Sequence, residues 1–127
     1  MTTLRRVLFA DAASCVGMGL FLALLAEPLA PMLGLPGALQ RYAGFALLPV
    51  GAFMAWVATR PQLPLAGVWT VIVGNVGWVA ASAALLLATA PTTLGYVFVI
   101  GQALVVAALA ELEYVSTRAA RAAAASA

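Results

Sequence analysis

Four apolar stretches, each long enough to cross a lipid bilayer and each closed by proline or a polar residue, fill nearly all of this 127-residue chain. A spanning helix needs roughly 20 mostly apolar residues at about 1.5 Å each. Residues 4–26, 39–59, 64–88 and 93–115 meet that requirement, and Glu27-Pro28, Arg60-Pro61 and Thr89-Ala90-Pro91 stand where the helices should stop. The links at 60–63 and 89–92 are short, so consecutive spans must be antiparallel neighbours. The predicted fold class is therefore an all-α membrane protein, a four-helix transmembrane bundle in up-down-up-down order, with 1–127 as one domain. Segment 27–38, EPLAPMLGLPGA, is too apolar for a free loop and is expected on the outer membrane surface or over the bundle mouth. The Ala-rich stretch 116–127 reads as a tail into which the fourth helix can extend.

Composition excludes much else. Charged residues make up 8% of the chain, against about 25% in an ordinary soluble domain, and mean hydropathy is +1.10. Such a chain cannot cover a globular surface with solvated groups, which argues against a soluble enzyme or a nucleic-acid binder. Without histidine, imidazole-held haem or zinc has no ligand. All six basic residues are arginines, so a lysine Schiff base or nucleophile is excluded, and the single Cys15 cannot close an intrachain disulfide. No cofactor or metal is expected.

Arg5-Arg6 ahead of an apolar run, with Ala12-Ala13-Ser14-Cys15 following, has the outline of a cleavable leader. The run before Asp11 covers only residues 7–10, shorter than the usual hydrophobic region of about 7–15 residues, and the apolar pattern continues to Ala26. The segment is read as a retained span. Four spans put both termini on one side, together with Arg5, Arg6, Arg60, Arg118 and Arg121, and leave Arg41 opposite. That bias predicts cytoplasmic termini in a bacterial inner membrane. Trp56, Trp69 and Tyr114 fall at the inner boundary and Tyr42 and Tyr96 at the outer one, as interfacial aromatics should.

Packing in lipid depends on small residues that let backbones approach. Ala13 and Gly17, Cys15 and Gly19, Gly51 and Ala55, Gly77 and Ala81, and Ala103 and Ala107 supply such pairs, and Pro49 predicts a local bend. Polar residues within spans face the bundle interior. Asp11, Ser14, Cys15 and Met18 form one stripe on the first helix, Val71, Asn75, Trp78 and Ser82 one on the third, and Gln102 and Glu113 nearly align on the fourth. The candidate site is thus a buried polar seam of Asp11, Ser14, Asn75, Trp78, Gln102 and Glu113. Each member also has a simpler reading. Asn75 and Gln102 serve as interhelical hydrogen-bond glue, Trp78 and Cys15 as packing, and Glu27 with Arg41 as a modest interfacial pair. Glu111 and Glu113 can reach water from a helix end. Asp11 pairs best with Arg60, or with Arg5. The sharper reading of Asp11 is a protonatable site open to the cytoplasm.

At these residues the chain resembles small bacterial inner-membrane proteins of about 120–130 residues with four spans and no assigned activity. The resemblance rests on Asp11, Leu33-Gly34-Leu35-Pro36 before Arg41, Asn75-Val76-Gly77-Trp78, Pro91-Thr92-Thr93-Leu94-Gly95, and Gln102-Ala103 followed by Glu111-Leu112-Glu113-Tyr114. It implies an integral membrane protein and supplies no mechanism. The deep carboxylate pattern of small multidrug transporters, which share the size and span number, is not reproduced. Three functions compete. The sequence favours a non-catalytic accessory, assembly or scaffold protein, touching membrane lipids and a membrane-protein partner or a second copy, because it needs no chemistry. A small proton-linked transporter or lipid-binding protein would use the polar seam. A lipid-modifying enzyme lacks a nucleophile–base pair and a phosphate-cradling loop, and comes last.

Overall fold

A computed structural model describes residues 2–126 of the chain. Four helices follow one another: α1 (Thr2–Leu33), α2 (Gly37–Thr59), α3 (Leu65–Ala88) and α4 (Thr93–Ser126). All four are long and apolar enough to cross a membrane, so the chain is a multi-pass helical bundle.

The first helix differs from its sequence reading. It does not stop at Glu27-Pro28 but continues to Leu33 through Pro28 and Pro31, with a break in helical geometry at Leu25 (φ −111°, ψ 16°). A proline ring clashes with the carbonyl four residues earlier and removes one ladder bond, so the chain kinks ahead of Pro28 and then resumes. Segment 27–38 is therefore no separate interfacial element. Its first half is the bent end of α1, and Gly34 makes the turn at φ +66°. The bent end caps the bundle mouth: Leu33 and Leu35 are buried and pack with Val99, while Met32 stays exposed. Thr92 ties the far end together by donating its backbone N–H to the Leu33 carbonyl (3.1 Å) and its hydroxyl to that of Met32 (2.7 Å). α2 remains helical through Pro49, and α4 runs on through the Ala-rich tail.

Packing is unequal around the bundle. α1 and α2 form the tightest pair, because Gly19, Gly44 and Gly51 bring their backbones together. A Cβ on Gly44 would stand 2.6 Å from the Gly19 carbonyl oxygen and the Ala23 nitrogen. The Gly77 and Gly17 positions face open space instead, so the pairs built on them do not join helices in this bundle. α4 packs against α3 and α1, while α2 and α3 barely touch despite their short link. The ring of four helices is open along that seam.

Candidate functional site

Asp11 on α1, Asn75 on α3 and Glu113 on α4 meet at the half of the bundle nearer the termini, each with 5% or less of its surface exposed. The Asn75 amide nitrogen donates to Asp11 Oδ2 at 2.6 Å and to Glu113 Oε1 at 2.9 Å. One NH₂ group thus holds two carboxyls, using both of its hydrogens. The two acidic groups are thereby brought to one amide nitrogen. Glu113 Oε2 is buried with no acceptable partner as a bare carboxylate. A proton on it would turn that orphan acceptor into a donor.

No arginine neutralises the pair. The expected Asp11 partner, Arg60, instead lies over the Trp56 ring, 4.9 Å from its centroid. Arg5 donates to the carbonyls of Ala58, Arg60 and Pro61, capping the C-terminal end of α2 and leaving nothing for Asp11. Peptide carbonyls past the last helical turn of α2 lack intrahelical partners, and a guanidinium satisfies several at once. Arg118 sits over Tyr114, and Arg41 pairs with Glu27 at 3.7 Å on the exposed outer turn, as read from the sequence. Glu111 is exposed, but Glu113 is wholly buried and does not reach water.

The rest of the seam forms a second network. Trp78 Nε1 donates to Gln102 Oε1 at 2.7 Å; Gln102 Nε2 donates to Ser82 Oγ and to the Val99 carbonyl, both at 2.9 Å; Ser82 Oγ donates to the Trp78 carbonyl at 2.8 Å. Gln102 therefore spends its amide on the bundle itself. Ser14 is exposed and joins neither network, but it lines the larger cavity beside Asp11 and Cys15. The single polar line expected along three helices is thus two closed clusters, one acidic and one neutral. Ser82 joins the neutral cluster because it lies one turn beyond Trp78, which the helical spacing already indicated. Gln40 carried no such signal: it is buried near the start of α2 and donates to the Leu35 carbonyl at 3.1 Å.

Both clusters border cavities in the open seam. The larger, about 590 Å³, is lined by Asp11, Ser14, Cys15, Thr70, Asn75 and Gln102 together with apolar residues of all four helices. Exposed Pro49, Val50, Phe53, Thr70 and Gly74 stand at its rim, so it opens sideways between α2 and α3. The second, about 410 Å³, lies toward the outer turn, and Met18, Trp78 and Gln102 line both. Among the described residues no group of three metal-ligating side chains converges. No family model, curated protein or solved structure matches the chain; its function has to be read from this geometry.

Because Asp11 and Arg60 have separate partners, their substitutions should act independently. Arg60→Leu should cost under about 1 kcal/mol, the worth of an exposed cation–π contact. Asp11→Leu should cost about 2 kcal/mol by leaving the Asn75 donor unpaired. Unfolding of the single and double variants in detergent should give additive losses; a coupling above about 1 kcal/mol would restore the ion pair.

Proposed function

We propose that this protein is a proton-linked carrier that takes a membrane-soluble molecule into the cavity between α2 and α3. One observation carries the reading: two buried carboxyls share a single Asn75 amide at the wall of an apolar, laterally open cavity, with every nearby arginine engaged elsewhere. Two like charges so close in a low-dielectric interior repel strongly, and a single proton held between the two carboxyls relieves that repulsion; the proposed device uses this proton. A ligand that alters the charge at Asp11 alters that proton, which is the minimum device for linking binding to protonation.

The ionisable groups bearing on the cavity are few. α1 supplies Asp11 and Cys15, α4 supplies Glu113 behind Asn75, and α2 and α3 contribute no ionisable side chain to the walls. A purely packed accessory subunit would have no use for an unneutralised acidic pair beside an empty space. We assign no catalytic role. The distribution of arginines supports a bacterial inner membrane with both termini in the cytoplasm, which would place the acidic pair nearer the cytoplasmic face.

Infrared titration of the purified protein in lipid should show a protonated-carboxyl C=O band at neutral pH. The isosteric double variant Asp11→Asn, Glu113→Gln should keep the helical spectrum and lose that band. A wild-type protein with both carboxyls ionised at neutral pH would remove the proton-linked reading.

A further inference from the structure

We propose that the molecule taken into the larger cavity is a lipophilic organic cation, bound in exchange for the proton of the Asp11–Glu113 pair. This rests on the proton-linked reading above and names its ligand class.

Charge comes first. When the pair loses the one proton it holds, its charge in the interior goes from −1 to −2, and no side chain is placed to neutralise the addition: Arg5, Arg41, Arg60 and Arg118 are engaged elsewhere, and Arg6 and Arg121 are exposed. An uncompensated buried charge is costly. Something cationic must therefore enter as the proton leaves. A neutral ligand would leave the deficit in place, and an anion would worsen it.

The walls then decide which cation. A metal ion requires several converging oxygens or nitrogens, such as the six to eight oxygens of a calcium site. The cavity offers one carboxylate, Asp11, with Ser14, Thr70, Asn75 and Gln102 spread among apolar walls; Thr70, Asn75 and Gln102 already hold partners within the protein, and among the described residues no group of three acidic or thiol ligands converges to replace a hydration shell. Diffuse charge screened by apolar groups fits such walls, and Phe53 and Trp78 are aromatic residues among the lining that can attract it. Volume agrees, since about 590 Å³ lies within the range of sites for drug-sized molecules. Access agrees too. The cavity opens between two apolar helices, so its ligand arrives from the membrane and must partition there.

The chemistry is an ion exchange: one cation enters, one proton leaves, and no covalent bond to the ligand forms or breaks. While the free pair is protonated, cation affinity should rise about tenfold per pH unit, the slope for one proton displaced. The test is equilibrium dialysis of the purified full chain against tetraphenylphosphonium and, as a smaller cation, hexyltrimethylammonium, with triphenylphosphine oxide as the neutral control. At least one cation should bind saturably, tighten with pH at that slope and release one proton in weakly buffered solution. Asp11→Asn, checked for helicity and elution volume, should bind it more than tenfold more weakly without pH dependence. Absence of saturable binding by both cations, equal binding of the neutral oxide, or cation binding that ignores pH would overturn the inference. If the oxide binds and the infrared band is present, the cation assignment fails while the proton-linked cavity stands; if the band is absent, the proton-linked reading fails.

Discussion

A Gly44→Leu protein should not hold a stable bundle, and Gly77→Leu should be close to neutral. The Gly44 Cα faces the Gly19 carbonyl and the Ala23 amide nitrogen so closely that even a Cβ would sit 2.6 Å from backbone atoms. Backbone cannot swing aside as a flexible side chain can, so α1 and α2 must separate. That breaks the most extensive helix–helix packing in the molecule. Overpacking of this kind commonly costs about 1–3 kcal/mol and more where nothing can give; here about 4 kcal/mol is expected. A Cβ at Gly77 meets nothing within 4 Å, so a side chain there leaves the backbones where they are. Denaturation in mixed micelles, followed by circular dichroism, measures both. Equal losses for the two variants would mean that the close α1–α2 approach is not what holds the bundle.

Asn75→Leu should cost about 3 kcal/mol, well above the average of about 0.6 kcal/mol for a membrane hydrogen bond. Two bonds vanish together, at 2.6 and 2.9 Å, and both carboxyls lose their shared donor in the interior. Leaving a buried polar group unsatisfied costs about 1–3 kcal/mol, and more when it is charged. The loss should shrink at acid pH, where both carboxyls are protonated and can bond to each other. The triple variant Asp11→Leu, Asn75→Leu, Glu113→Leu should recover most of the stability, because an apolar replacement of a whole buried polar cluster is often neutral or better. Unfolding free energies at two pH values test this directly. A loss under about 0.5 kcal/mol, unchanged by pH, would show that Asn75 does not hold the carboxyls.

Much of this architecture is legible in one dimension. Span number and order follow from the lengths of apolar runs, since a bilayer of fixed thickness demands them. The stripe of Asp11, Cys15 and Met18 and that of Asn75, Trp78 and Ser82 follow from helical spacing, and each stripe does line the open seam. The bend at Leu25 is not legible in the same way, because Pro28 can either end a helix or kink it. The buried Leu33 and Leu35, packed with Val99 of α4, accompany continuation.

The partners of the polar residues lay further out of reach. Arg60 looked right for Asp11 on charge and sidedness alone, yet both Arg60 and Arg5 turn to the end of α2, one over an indole and one onto carbonyls. Glu113 looked able to reach water from a helix end, but α4 continues to Ser126 and buries it. Composition and periodicity thus determined that the chain is four lipid-facing helices with acidic and amide groups turned inward. Each of those properties depends on residues near one another along the chain. Which helices close and which stay apart was decided by tertiary structure: three glycines draw α1 onto α2, and α3 is left joined chiefly to α4. That unequal closure lets Asn75 bridge two carboxyls and leaves a cavity beside them, a result of distances across the bundle that no spacing along the chain encodes.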